Sequence, residues 1–135
     1  MTRRPRPVAR QVLQVSGPPC SGKSTRLLEL ARQGWATMDD WEYHRGRGAT
    51  GRDTITDQDW RAWYSALGSA VQHMGRPLAF IQGRPYPRFP FITVEVLDPG
   101  IVECHRRADA DSRPPVTHQW IDQWYQRWGQ GHTGA

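Results

Sequence analysis

Eight consecutive residues, Gly17, Pro18, Pro19, Cys20, Ser21, Gly22, Lys23 and Ser24, carry most of the chemistry written into this chain. Their spacing, G-x-x-x-x-G-K-S, suits a loop that holds phosphate. Backbone N–H groups of such a loop turn inward on an anion, and the positive end of a following helix adds to the attraction. Lys23 is then placed to reach the β- and γ-phosphates of a triphosphate, and the Ser24 hydroxyl to hold Mg²⁺. Thr25 extends the run into the first turn of that helix. A glycine-rich turn that ends in Lys-Ser by coincidence is the competing reading. The flanks argue against it, because residues 11–15 predict a buried strand and residues 23–32 a helix, the order a phosphate loop needs.

The second feature is a carboxylate pair, Asp39 and Asp40, at the end of a short predicted strand over residues 35–38. Phosphoryl transfer to an alcohol needs a carboxylate that takes the hydroxyl proton and aims the oxygen at the terminal phosphorus. An acid just past a neighbouring strand stands beside the loop. Asp40 is the preferred base and Asp39 the residue near Mg²⁺, though the two roles could be exchanged. The bland alternative is a helix N-cap, a frequent use of Asp at such a junction. Farther on, Arg106, Arg107 and Arg113 could close over the phosphates and neutralise spreading negative charge. A solvated basic helix end would look the same.

With these residues in view, the chain resembles the small P-loop kinases of the polynucleotide-kinase-like and zeta-toxin-like group. The resemblance covers residues 11–128 and rests on the Walker A run G-P-P-C-S-G-K-S-T, on Asp39-Asp40, and on a late C-H-R-R…S-R-P-P-V segment. It implies a three-layer α/β sandwich, ATP and Mg²⁺ as cofactors, and an Asp after the second strand as base. Two departures stand out. The group's pattern of a second arginine four positions after the first finds Asp111 when counted from Arg107, with Arg113 two places beyond. An Asp commonly follows the third strand to hold Mg²⁺ through water; here Gln82 follows it.

The elements that must position these groups read as alternating strands and helices. Residues 57–74 form a helix opened by Thr56, with Asp59 three places on, and carry a stripe that includes Trp60, Trp63 and Leu67. Residues 78–81 and 91–97 predict two more strands, 101–108 and 116–128 two more helices, and 43–53 a glycine- and arginine-rich surface loop. Alternation of this kind argues for a parallel sheet with ligands at the carboxyl ends of its strands. Only residues 84–90 separate the last two strands, which is short for a parallel crossover. Either an extended segment crosses without a helix or the last strand pairs in another way.

The 135 residues make one domain. Residues 1–10 read as a basic flexible arm, 11–128 as the kinase domain and 129–135 as a flexible tail. The net charge of +5 favours a polyanionic partner, nucleic acid or nucleotide, beyond the triphosphate itself. Arg84, Arg88, Tyr86, Phe89 and Phe91 after the third strand, with His44, Arg45, Arg47 and Arg52 after the second, could line an acceptor cleft. Seven tryptophans are dense for this length. Trp60, Trp63, Trp120 and Trp124 fall at helical spacing and read as core. Cys20 and Cys104 read as reduced thiols of a cytoplasmic protein, no run suits a membrane span, and the oligomeric state is open. Besides a nucleic-acid or nucleotide kinase, the residues admit a kinase of small molecules, such as an antibiotic or a nucleotide sugar, or a non-catalytic nucleotide-dependent binding module.

Overall fold

The computed structural model describes residues 11–82 and 92–129. Strand β1 (Val12–Ser16) leads through the loop into α1 (Lys23–Arg32), which Gly34 ends with a positive φ of 98°. Strand β2 (Ala36–Asp39) runs directly into α2 (Asp40–Gly46), and a 3-10 turn (Arg52–Thr54) precedes α3 (Asp57–His73). Then come β3 (Leu78–Ile81), β4 (Thr93–Val96), α4 (Ile101–Ala110), α5 (Pro115–Trp124) and a π-type turn (Tyr125–Gly129).

The four strands form one sheet in the order β2-β3-β1-β4, parallel throughout. The protein is thus an α/β sandwich with helices on both faces of a parallel sheet. Side-chain alternation along the strands splits the core into two. Val12, Leu78 and Phe80 meet Trp63 and Leu67 of α3 on one face, whereas Val15, Ala79 and Ile81 meet Leu27 and Leu30 of α1 on the other. Trp63 and Leu67 are fully buried. Their helix is set in place by a reciprocal cap in which Thr56 Oγ1 accepts from the Asp59 N–H and the Asp59 carboxylate accepts from the Thr56 N–H. A third cluster, Cys104, Ala108 and Ile121, joins α4 to α5 and packs against Cys20 of the loop.

Several boundaries differ from the sequence reading. The expected loop over 43–53 begins as helix, because Asp39 caps α2 and its residues Tyr43 and His44 pack against the α3 tryptophans, His44 edge-on to Trp60 and Tyr43 tilted on Trp63. Helix α4 runs two residues longer than expected, to Ala110, and Pro115 opens α5 at a position where its missing N–H costs nothing. Strand β4 pairs in parallel with β1. The segment that connects it to β3, with Arg84, Tyr86, Arg88, Phe89 and Phe91, lies outside the described residues, as do the expected arm over 1–10 and nearly all of the expected tail.

Candidate functional site

The loop between β1 and α1 closes on itself by design of its glycines. A Cβ on Gly17 would sit 2.6 Å from both the Leu97 carbonyl oxygen and Ser21 Oγ, so only hydrogen fits there. Gly22 takes φ 97° as the residue before α1, and Cys20 also adopts a left-handed φ of 65°. Lys23, the first residue of α1, folds back over the loop and donates to the Gly17 and Pro18 carbonyl oxygens at 2.7 and 2.8 Å. Burial pulls its pKa down to about 8, against the attraction of Asp40. Ser21 Oγ is buried with no hydrogen-bond partner among the described residues. Ser24 and Thr25 are exposed beside it, on the wall of the same cleft.

The sheet brings the acidic pair to this loop. Register places Asp39 level with Ile81 of β3, and Ile81 level with Val15 of β1. With strands about 4.8 Å apart, Asp39 stands roughly 10 Å across the sheet from the loop's origin, enough for a phosphate and an attacking group to fit between. The two acids are held differently. Asp39 Oδ1 accepts from the N–H groups of Trp41 and Glu42 at 2.9 and 3.2 Å, so its side chain caps α2. Asp40 is fully buried; its Oδ1 accepts from the Trp41 N–H at 2.7 Å, while Oδ2 accepts no hydrogen bond among the described residues and faces Arg52 Nη1 at 3.9 Å. Burial raises the Asp40 pKa, and Arg52 is the largest force pulling it back. Arg52 itself lies over the Trp41 ring, 5.4 Å from its centre.

Helices α4 and α5 close the far side. Arg107 Nη1 donates to the Cys20 carbonyl oxygen at 3.2 Å, and its Nε to Glu103 at 3.2 Å. Arg106 is paired with Glu103 through two bonds, and this double grip lowers the Glu103 pKa to about 2. Arg113 is exposed on the cleft wall, 4.0 Å from the Asp111 carboxylate. The whole forms one open cleft of about 1000 Å³. It gathers Gly17, Lys23, Asp39, Asp40, Arg107 and Arg113, residues far apart in the chain.

The cleft also includes groups that the sequence did not single out as site residues. Trp41 and Glu42 stand at the acidic end, and Trp120, Trp124, Arg127 and Trp128 line the α5 end. The recurrence of Val116, Trp120, Trp124 and Trp128 every four residues was a legible signal, but a helical stripe reads first as core. Trp124 is indeed nearly buried, whereas Trp120 is only half so. Of the four expected cleft residues after β2, Arg52 alone reaches it. Arg45 pairs with Glu42 at 2.6 Å, Arg47 lies over Tyr43, and His44 is buried among aromatic rings. Gln82, where the resembled kinases often place an Asp, is turned toward α3. Its amide accepts from Trp63 Nε1 and donates to the Tyr64 hydroxyl, both at 3.2 Å.

No protein-family model matches the chain, and no curated protein matches its sequence. A solved structure does match in fold: a chain in the structure of the Pnkp1/Rnl/Hen1 RNA repair complex superposes with a TM-score of 0.74 at 12% identity. The match takes in 93% of this chain and 46% of that one, so this chain spans about half the length of its neighbour.

Proposed function

We propose that the protein is an ATP- and Mg²⁺-dependent kinase that phosphorylates a hydroxyl group of a nucleic acid or nucleotide. The observation that carries this reading is the placement of Asp40, buried and with Oδ2 accepting no hydrogen bond among the described residues, in the same cleft as Lys23 and the glycine loop. The loop fits a triphosphate tail. Its backbone closes where no side chain can stand, Ser21 Oγ is buried and unpartnered, and the Lys23 ammonium spends its bonds on two carbonyl oxygens that a phosphate can replace. Bound nucleotide supplies the transferable group, and Mg²⁺ neutralises its charge.

Residues 17–25 hold the phosphates in this reading, with Ser24 and Asp39 toward the metal. Asp40 Oδ2 orients the acceptor hydroxyl and takes its proton, while Oδ1 stays fixed by the Trp41 N–H. Arg107, already on the loop at the Cys20 carbonyl, and Arg113 beside it place positive charge over the transferring group. The basic balance of the chain, together with Arg52 and Trp41 at the acidic end, supports an acceptor that carries phosphate and a base. The repair complex named above is consistent with nucleic-acid chemistry in this fold.

The test is phosphate transfer from γ-labelled ATP to a panel of 5′-hydroxyl oligonucleotides, nucleosides and small alcohols. Lys23→Ala is expected to abolish transfer. Asp40→Asn is expected to slow it by about 10²–10⁴-fold while ATP affinity holds. Gln82 favours the rival reading of a nucleotide-dependent binding module, because its commitment to α3 leaves no carboxylate at the end of β3. ATP binding without transfer to any acceptor would establish that rival.

A further inference from the structure

Outside the cleft, α4 and α5 are joined by a chain of four titratable side chains. His105 and His118 meet through their Nδ1 atoms at 2.6 Å, with ring planes 6° apart and centres separated by 4.8 Å. The separation of centres far exceeds that of the nitrogens, so the rings meet edge to edge rather than face to face, and the two Nδ1 atoms point at each other. Each outer nitrogen meets a carboxylate of the opposite helix. His105 Nε2 lies 2.7 Å from Asp122 Oδ1, and His118 Nε2 lies 3.0 Å from Asp109 Oδ1.

Proton bookkeeping allows this arrangement in one state only. An ionised carboxylate accepts but cannot donate, so both Nε2 atoms must carry protons. Two lone pairs cannot face each other at 2.6 Å, and neither can two N–H groups. One proton must therefore lie between the Nδ1 atoms, giving three protons on two rings and a single positive charge set between two carboxylates.

We propose that the Asp109–His118–His105–Asp122 chain is a proton-dependent latch that holds the α4–α5 hairpin shut along its outer edge. A fourth proton sets two N–H groups against each other. Loss of the third leaves one nitrogen facing another acceptor. Either change removes one charged hydrogen bond. The groups facing the imidazole pair are Asp109 from α4 and Asp122 from α5; the other charges of the first turns of α4, Glu103, Arg106 and Arg107, are engaged with one another. His105 and His118 are 28% and 31% exposed in their side chains, so solvent protons reach them. The inner edge, packed by Cys104, Ala108 and Ile121, contains no part of the latch. Opening is accordingly local. It concerns the hairpin that carries Arg107 and Arg113, and it stands independently of the kinase reading.

The experiment is long-range ¹H–¹⁵N correlation of the imidazoles in the intact protein across pH 4.5–9, with amide hydrogen exchange over residues 104–109 and 118–122. Near the middle of the range, both Nε2 atoms should carry protons and both Nδ1 atoms should show partial protonation, with a strongly deshielded shared proton. Amide protection, corrected for intrinsic exchange, should peak there and fall roughly tenfold toward both ends, the scale of one charged hydrogen bond. His118→Asn replaces Nδ1 by an amide that does not titrate, so protection should persist with the peak flattened. Two imidazoles that titrate independently, or an unchanged peak in His118→Asn, would overturn the latch; the wild-type imidazole spectra decide even if the variant folds poorly.

Discussion

Asp40 and Lys23 are both buried ionisable groups, and each pays for its position in a way that stability measurements can read. Asp40 has its pKa raised by burial, so the folded state holds that proton more tightly than the unfolded chain does. Stability therefore falls as pH rises from the ordinary carboxylate value through the folded one, and at neutral pH the ionised group is a burden. Asp40→Asn keeps an acceptor for the Trp41 N–H and removes the charge. It is expected to stabilise the protein by about 1–3 kcal/mol at pH 7, measured by denaturant unfolding, even as it removes turnover. Lys23 titrates near 8 instead of its usual 10.5. Its burial penalty is complete below pH 8 and relieved as pH rises toward 10.5, so over that window the wild type should gain stability relative to Lys23→Met. Nucleotide affinity should move the other way, weakening above pH 8 as the ammonium is lost; isothermal titration would detect this.

Among elements, the junction of β2 with α2 sets the site. Asp39 ends the strand and caps the helix in the same residue, and this turns Asp40 inward at the first helical position. Asp39→Ala should cost about 1 kcal/mol from the lost cap. If Asp39 serves the metal as well, the apparent Mg²⁺ requirement for nucleotide binding should also rise, a readout that a cap alone would not move. The phosphate loop has a similar dependence on one residue. Gly17→Ala drives a Cβ into the backbone oxygen of Leu97 just beyond β4, so it should both destabilise the fold, by about 1–3 kcal/mol, and weaken nucleotide binding. Glycines with open space around them, such as Gly75, should tolerate the same change.

For the molecule as a whole, charge and layering decide how partners meet the cleft. A net charge of +5 on 135 residues, with Arg52, Arg107, Arg113 and Arg127 around one opening, should make oligonucleotide affinity fall steeply with salt, while a neutral small acceptor would show little change. Fluorescence anisotropy at several ionic strengths separates these cases. A mostly parallel sheet was legible from the alternation of elements, and the helix starts at Lys23 and Asp57 from their local signals, while the pairing of β4 was left open by the short link before it. The α2 helix was not, because residues 43–53 carry glycines and arginines whose short-range preference is for a loop. Tyr43 and His44 form a helical face only because the α3 tryptophans wait to receive it.

Local rules account for the glycine loop: Gly17, Gly22 and Lys23 act within a few residues of one another, and backbone sterics leave that segment little choice of conformation. Distance in the chain marks what local rules could not decide. Whether Asp39 or Asp40 would face the loop depended on which of them capped the helix. Which arginine would touch the loop depended on how α4 settles on Cys20. The tryptophans of α5 could read as core or as cleft until the packing of Cys104, Ala108 and Ile121 set that helix's rotation. Of these contacts, the one between Arg107 and Cys20 joins residues 87 positions apart, and no property of either residue alone contains it.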